Sequence, residues 1–157
     1  MAEPGAGLLH SINVSNGGVP KRPRESAAVA RGGVEGDRQR DLEHHGGPER
    51  AVSLYSLELI EALRSEGHPI TAGAIGENLT IGGVDWPAMT PGRRLQVGEV
   101  SLELTSYAAP CNNIARAFSD ARVARVSQKV HAGWSRLYAR VLKEGRLRVG
   151  DPVRILP

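Results

Sequence analysis

A mainly β, strand-rich α+β fold is what this sequence predicts, on three observations. Its 19 glycines and 10 prolines are scattered between short apolar runs instead of being gathered in one linker, the punctuation of many strands and turns. Several of those runs alternate apolar and polar residues, the period of a strand with one buried face. Helical periodicity is confined to two segments. Strands this short and numerous resolve their unpaired edges most readily by closing into a barrel or by stacking as two sheets.

The elements follow in chain order. Leu8 to Val14 and Ala27 to Ala30 are strand candidates. Ser56 caps a helix running to about Glu66, with Leu57, Ile60 and Leu63 on one face and Gly67 as the stop. Gly76 before Glu77-Asn78, then Leu79-Thr-Ile81, reads as a turn entering a strand. Arg93 to Val97 and Val100 to Thr105 alternate with period two, joined by Gly98-Glu99, the composition of a type II′ hairpin turn. A second helix is expected from Ser119 to His131, where Val123, Val126 and Val130 recur at helical spacing before Gly133. Tyr138 to Leu142, Glu144-Gly145 and Leu147 to Val149 read as a hairpin, and Val153 to Leu156 as the last strand. No internal repeat is evident, and 157 residues suit a single domain spanning 1–157.

Composition narrows the function classes. A net charge of +3, from 20 basic and 17 acidic residues, is a weak excess for a nucleic-acid binder despite a pI near 9.4. With 4% aromatic residues, stacking platforms for bases are scarce. Only Lys21, Lys129 and Lys143 are lysines, and arginine suits bidentate binding of carboxylate or phosphate. No apolar run approaches the length of a membrane span, and Met1 to Gly7 does not read as a secretory signal. One cysteine without a partner fits a reducing cytoplasm.

That cysteine, Cys111, stands in Tyr107-Ala-Ala-Pro-Cys-Asn-Asn-Ile114, between a strand-like and a helix-like run. Its chemistry is that of a free thiol: metal ligand, sulfur carrier, nucleophile or inert core. The stretch from Gly32 to Arg50 lacks hydrophobic periodicity and carries Asp37, Asp41, His44, His45 and Gly46-Gly47. A loop of that length in a compact domain is usually functional. It could serve as a metal site, an acid/base pair, or an anion nest with Arg38 and Arg50, although adjacent histidines diverge and make a poor zinc pair.

Taken in order, Gly36-Asp-Arg-Gln-Arg-Asp-Leu-Glu-His-His-Gly-Gly-Pro-Glu-Arg-Ala-Val52, Ile75-Gly-Glu-Asn-Leu79 and Pro110-Cys111 resemble the signature of the MOSC domain, the molybdenum-cofactor sulfurase C-terminal domain. Gly17-Gly-Val-Pro-Lys21 and Gly133-Trp-Ser-Arg-Leu-Tyr-Ala-Arg-Val141 are similar to that family too, so the likeness runs along nearly the whole chain. It implies a closed β-barrel of the pyruvate-kinase barrel-domain type with two or three inserted helices. It also implies the molybdenum cofactor (molybdopterin) as ligand. Cys111 becomes its metal ligand or a sulfur acceptor, while Lys21, Arg38 and Arg50 become candidates for the cofactor phosphate. Asp37, His44, His45, Glu77 and Asn78 shape the pocket or exchange protons. Gly46 and Gly47 let the backbone approach the ligand, and the amides of Asn112 and Asn113 face an anion. The purine-protecting branch of the family carries a bulky residue and a lysine after Pro-Cys, where this chain has Asn112-Asn113.

Two functions follow from the resemblance. In one, the protein reduces N-hydroxylated small molecules with electrons from a separate reductase. In the other, Cys111 accepts a persulfide from a desulfurase and passes the sulfur on, pyridoxal phosphate entering only through that partner. A thiol hydrolase with His44 or His45 as base is a third class, for which the sequence offers no oxyanion hole. A nucleic-acid or anion-binding module without catalysis is the fourth.

Overall fold

A period-two strand buries one face, and here that face closes on itself. The computed structural model describes residues 6–38 and 47–157. The strands are β1 (Gly7–Val14), β2 (Arg22–Arg24), β3 (Ser26–Ala30), β4 (Gly33–Val34), β5 (Val52–Ser56), β6 (Leu79–Gly82), β7 (Arg94–Val97), β8 (Val100–Ala108), β9 (Arg136–Lys143), β10 (Gly145–Arg148) and β11 (Pro152–Ile155), with helix α1 at Leu57–Ser65. Neighbours run β11-β7-β8-β9-β5-β6-β1, and β1 pairs back onto β11, so seven strands form a barrel on which β2 sits as an extra edge. A smaller sheet, β10-β3-β4, lies beside it. Pairing β5 with β6 in parallel requires a crossover, which α1 supplies.

Register assigns the faces. Ile12 opposes Leu79, Leu54 opposes both Leu79 and Leu137, Leu95 opposes Leu102, and Val97 opposes Val153. All of these are buried and fill the barrel interior. The other face of β1, β6, β5 and β9 carries Ser11 opposite Thr80, Tyr55 opposite Thr80, and Ser53 opposite Tyr138. These polar residues are buried as well. Segments 15–21, 66–78 and 109–135 cover them, tied down by Lys21 N–H to the Gly73 carbonyl (2.9 Å), Asn13 N–H to the Asn78 carbonyl (2.7 Å) and the Tyr55 hydroxyl to the Trp134 carbonyl (2.8 Å).

The expected strands at residues 8–14, 27–30, 93–97, 100–105 and 153–156 correspond to β1, β3, β7, β8 and β11, with ends shifted by a few residues. Gly98, at φ +53, turns β7 into β8 with Val97 opposite Val100. Helix α1 is capped by the Ser56 hydroxyl, which accepts from Leu59 N–H at 3.2 Å, and Gly67 follows at φ +99.

Two expectations fail. Residues 119–131 form no α-helix, only turns and a short 3-10 segment at Val123–Val126. Their valines do not share a buried face: Val126 is buried while Val130 is 60% exposed, and β-branched residues gain little from an unburied helix. Ala121, at φ +58, breaks the run. The hairpin expected at residues 138–149 is also absent. β9 pairs with β5 and β8, while β10 leaves the barrel to pair with β3. α1 is the sole α-helix among the described residues, the other helical pieces being short 3-10 turns. No helix there is long and apolar enough to cross a membrane.

Candidate functional site

Strand β8 ends at Ala108, and Ala109-Pro110 carries the chain to Cys111, which is half-buried. The helix expected next is a six-residue 3-10 turn, Asn112–Ala117, whose first bond runs from Ile114 N–H to the Cys111 carbonyl at 3.2 Å. So short a turn contributes little macrodipole. Asn112 and Asn113 are exposed on the rim.

Tyr138 of β9 is within electrostatic reach of this thiol. Burial pushes its phenol pKa up, the nearby Cys111 pushes the same way, and Arg136 and Arg50 oppose them. The Arg50 guanidinium stands 5.8 Å from the Tyr138 ring centroid, within cation–π range. Arg136, two residues earlier on the same strand face, reaches the Ala109 carbonyl through Nη2 at 3.5 Å. The thiol, the phenol and two guanidinium groups therefore share one end of the covered wall.

Next to them is a buried clamp. Lys21 Nζ donates to both carboxylate oxygens of Asp37, at 2.8 and 2.7 Å, with side chains only 8% and 4% exposed. Asp37 also accepts from Ser15 N–H (2.9 Å) and from Asn78 Nδ2 (2.9 Å). Asn78 gives a second Nδ2 hydrogen bond to the Asn13 carbonyl, and its Oδ1 accepts from the Ser53 amide at 3.0 Å. One side chain thus links β1, β5 and the loop bearing Asp37. Arg38 is exposed, its amide bonded to the Ser15 carbonyl at 2.7 Å.

Glu77 faces the barrel wall, fully buried. Its Oε2 accepts from the Thr80 hydroxyl at 3.0 Å, while Oε1 has no side-chain or backbone partner in good hydrogen-bond geometry. Burial raises its pKa, more than the Gly73 and Glu77 amides, Thr80 and the more distant Arg136 lower it. Burial thus favours the neutral form of the carboxyl.

Among the residues expected from sequence, Cys111 and Arg50 meet around Tyr138, and Lys21, Asp37 and Asn78 meet in the clamp. Gly47, at φ +91, opens the 3-10 turn Pro48–Arg50 that delivers Arg50. His44, His45 and Gly46 lie outside the described residues. Arg136 and Tyr138 were not singled out as site residues. The available signal was an arginine directly before the largely apolar stretch Leu137 to Val141, within the motif that already bore a family likeness.

Comparison with known proteins follows the same lines. A family model for the MOSC domain matches residues 41–154. The uncharacterized protein YflK of Bacillus subtilis is 35% identical over 144 residues, covering 88% of this chain and 63% of that protein. A protein of Gibberella moniliformis named Reductase is 32% identical over 130 residues, 79% of this chain and 22% of that one. This chain therefore spans less than two-thirds of either relative. The solved structure of YuaD from Bacillus subtilis has a TM-score of 0.76 over 94% of both chains at 16% identity, a likeness of fold.

Proposed function

The chain belongs to the MOSC domain family, and we propose that it holds the molybdenum cofactor through Cys111 and reduces N-hydroxylated small molecules with electrons from a separate reductase. The observation that carries this reading is the placement of the chain's one thiol, half-buried after β8 and within electrostatic reach of Tyr138, on which Arg136 and Arg50 also act. The donor set fits the group. Thiolate is a soft ligand suited to a sulfur-bound metal, and guanidinium groups suit phosphate. Among the described residues no three His, Cys, Asp or Glu side chains converge, so the cofactor itself would bring further ligands.

When bound, the cofactor supplies the redox chemistry. The chain's own residues bind and orient it: Cys111 Sγ as ligand, and Arg136 and Arg50 on the anionic side. Tyr138, its phenol kept protonated, is a hydrogen-bond donor next to the thiol. His44 and His45 are assigned to proton exchange, and a reducing cytoplasm keeps Cys111 a thiol. The relative named Reductase supports a redox role.

The test is molybdenum and pterin per chain after expression with ample molybdate in a cofactor-producing host and anaerobic purification. Near-stoichiometric values in the wild type, lost in Cys111→Ser with the fold intact, are expected. Full molybdenum in Cys111→Ser would sink the ligand assignment. Wild-type protein without either, carrying a persulfide on Cys111, would replace this reading with sulfur carriage from a desulfurase.

A further inference from the structure

Among the described residues, Arg136 is a buried cation with no carboxylate partner. The residue is 6% exposed, its Nε has no partner, and among the described residues its one hydrogen bond is the 3.5 Å contact from Nη2 to the Ala109 carbonyl, at the outer limit of such bonds. Other part-buried cations here differ. Lys21 is gripped by Asp37, Arg125 by Glu66 at 2.7 Å, and Arg140 by Glu103. Arg125 and Arg140 also have an unpaired nitrogen each, but each keeps a carboxylate. Glu77, which acts on Arg136 electrostatically, makes no ion pair with it, and burial favours its neutral form.

An uncompensated guanidinium in a protein interior is unfavourable, and such groups are paired or receive a ligand. Glycine lets the backbone come close to this guanidinium. At Gly76, φ +87, an added Cβ would lie 3.8 Å from Arg136 Nη1 and 3.9 Å from Lys21 Cε, and would be crowded by Val19 Cγ1 at 3.1 Å. The Gly76 backbone therefore lies against both cationic residues, where a side chain would intrude. Ala109, which Arg136 touches, is two residues before Cys111.

We propose that Arg136 is the recognition residue of an oxyanion site, seated over Gly76 and adjacent to Cys111. The shared chemistry is a phosphate-class anion, either the phosphate of the bound cofactor or a free anionic ligand. The site coincides with that of the proposed function and rests on it only for the identity of the anion.

The experiment follows thermal unfolding of the full chain, from a host that cannot make the cofactor, against inorganic phosphate, with chloride at equal ionic strength as control. At roughly tenfold over its dissociation constant, phosphate should raise the wild-type Tm by about 3–6 °C. Arg136→Met should match or exceed the wild-type Tm without phosphate and show no phosphate response. A wild type indifferent to phosphate, or an Arg136→Met that still responds or that melts lower than wild type in phosphate-free buffer, would overturn the proposal. If Arg136→Met does not fold, Arg136→Lys decides: a reduced shift is expected, because the planar fork is lost, and an undiminished one counts against it. Cys111→Ser should keep the phosphate shift whatever its molybdenum content, which separates this proposal from the metal assignment. In cofactor-loaded protein, loss of pterin from Arg136→Met with no phosphate response in the wild type identifies the cofactor phosphate as the anion. Unchanged pterin with a persisting response identifies a free anionic ligand.

Discussion

The outer faces of two parts of the barrel wall arise from the same alternation and meet opposite fates. On β7 and β8 the outward residues are Arg94, Gln96, Ser101 and Glu103, which pair across the strands as Arg94 Nε to Glu103 at 3.1 Å and Ser101 to Gln96 at 2.7 Å, in reach of water. On β9, β5, β6 and β1 the outward residues Arg136, Tyr138, Ser53, Tyr55, Thr80 and Ser11 are buried beneath loops. Alternation says which side of a sheet a residue takes, not what lies over it. Where the face is wet, water satisfies most groups the protein leaves over, and Arg140 Nε, which it does not reach, belongs to a guanidinium already paired with Glu103. Under a cover every polar atom needs a partner, so the leftover atoms, Glu77 Oε1 and Arg136 Nε, carry information that leftover atoms on the wet wall do not.

The largest effect expected on the covered wall comes from Asp37→Ala. It leaves Lys21 buried without its counter-charge and removes the acceptor for the Ser15 amide and Asn78. Breaking a buried pair from one side costs about 3–5 kcal/mol, to be read from urea unfolding with an unchanged m-value. A loss below about 1 kcal/mol, the scale of exposed pairs, would mean that the cover does not exclude water from the clamp.

Glu77→Gln should act more gently and only on one side of the pH scale. Burial raises the folded-state pKa of Glu77 above its unfolded value. The native state therefore keeps the proton at a pH where the unfolded chain releases it, and stability falls as pH rises from the unfolded value through the folded one. Gln is neutral throughout. Urea midpoints of the two proteins should agree in acid, and the variant should gain on wild type towards neutral and alkaline pH. Parallel pH profiles would show that Glu77 is solvated or charge-paired.

Much of this was legible in the sequence, for physical reasons that also mark its limits. β1, β3, β7, β8 and β11 announced themselves because alternation or a short apolar run bounded by turns is a local signal. β5 did not, because Val52-Ser-Leu-Tyr-Ser56 is buried on both faces and loses the alternation that exposes a strand. The valines at 123, 126 and 130 produced a false helix, since spacing cannot say whether a neighbour waits to bury the stripe. β10 was assigned to its sequence neighbour, whereas its partner β3 lies more than a hundred residues earlier, with Gly145 opposite Val29. At the site, Cys111, Asp37, Lys21 and Asn78 were marked by the family likeness. Residue type alone did not reveal that Lys21 and Asp37 neutralise each other, or that Arg136 does not find such a partner, because both depend on contacts between segments far apart in sequence.

The smallest effect should come from Glu103→Gln on the wet wall. Arg94 and Arg140 both reach this carboxylate and hold its pKa below the usual range. Any contribution is therefore present above the ordinary carboxylate pKa and fades in acid, the reverse of Glu77. Water and salt screen such a surface network, and its arginines are rehydrated when the carboxylate is neutralised. The urea midpoint at neutral pH should barely move, and the residual difference from wild type should shrink further when salt is raised. Comparison with Asp37→Ala under identical conditions is decisive, since both substitutions remove one carboxylate charge contacting basic side chains. If Glu103→Gln proved as costly as Asp37→Ala, the cover would make no energetic difference between the two walls, and an unpaired atom beneath it would no longer single out a ligand site.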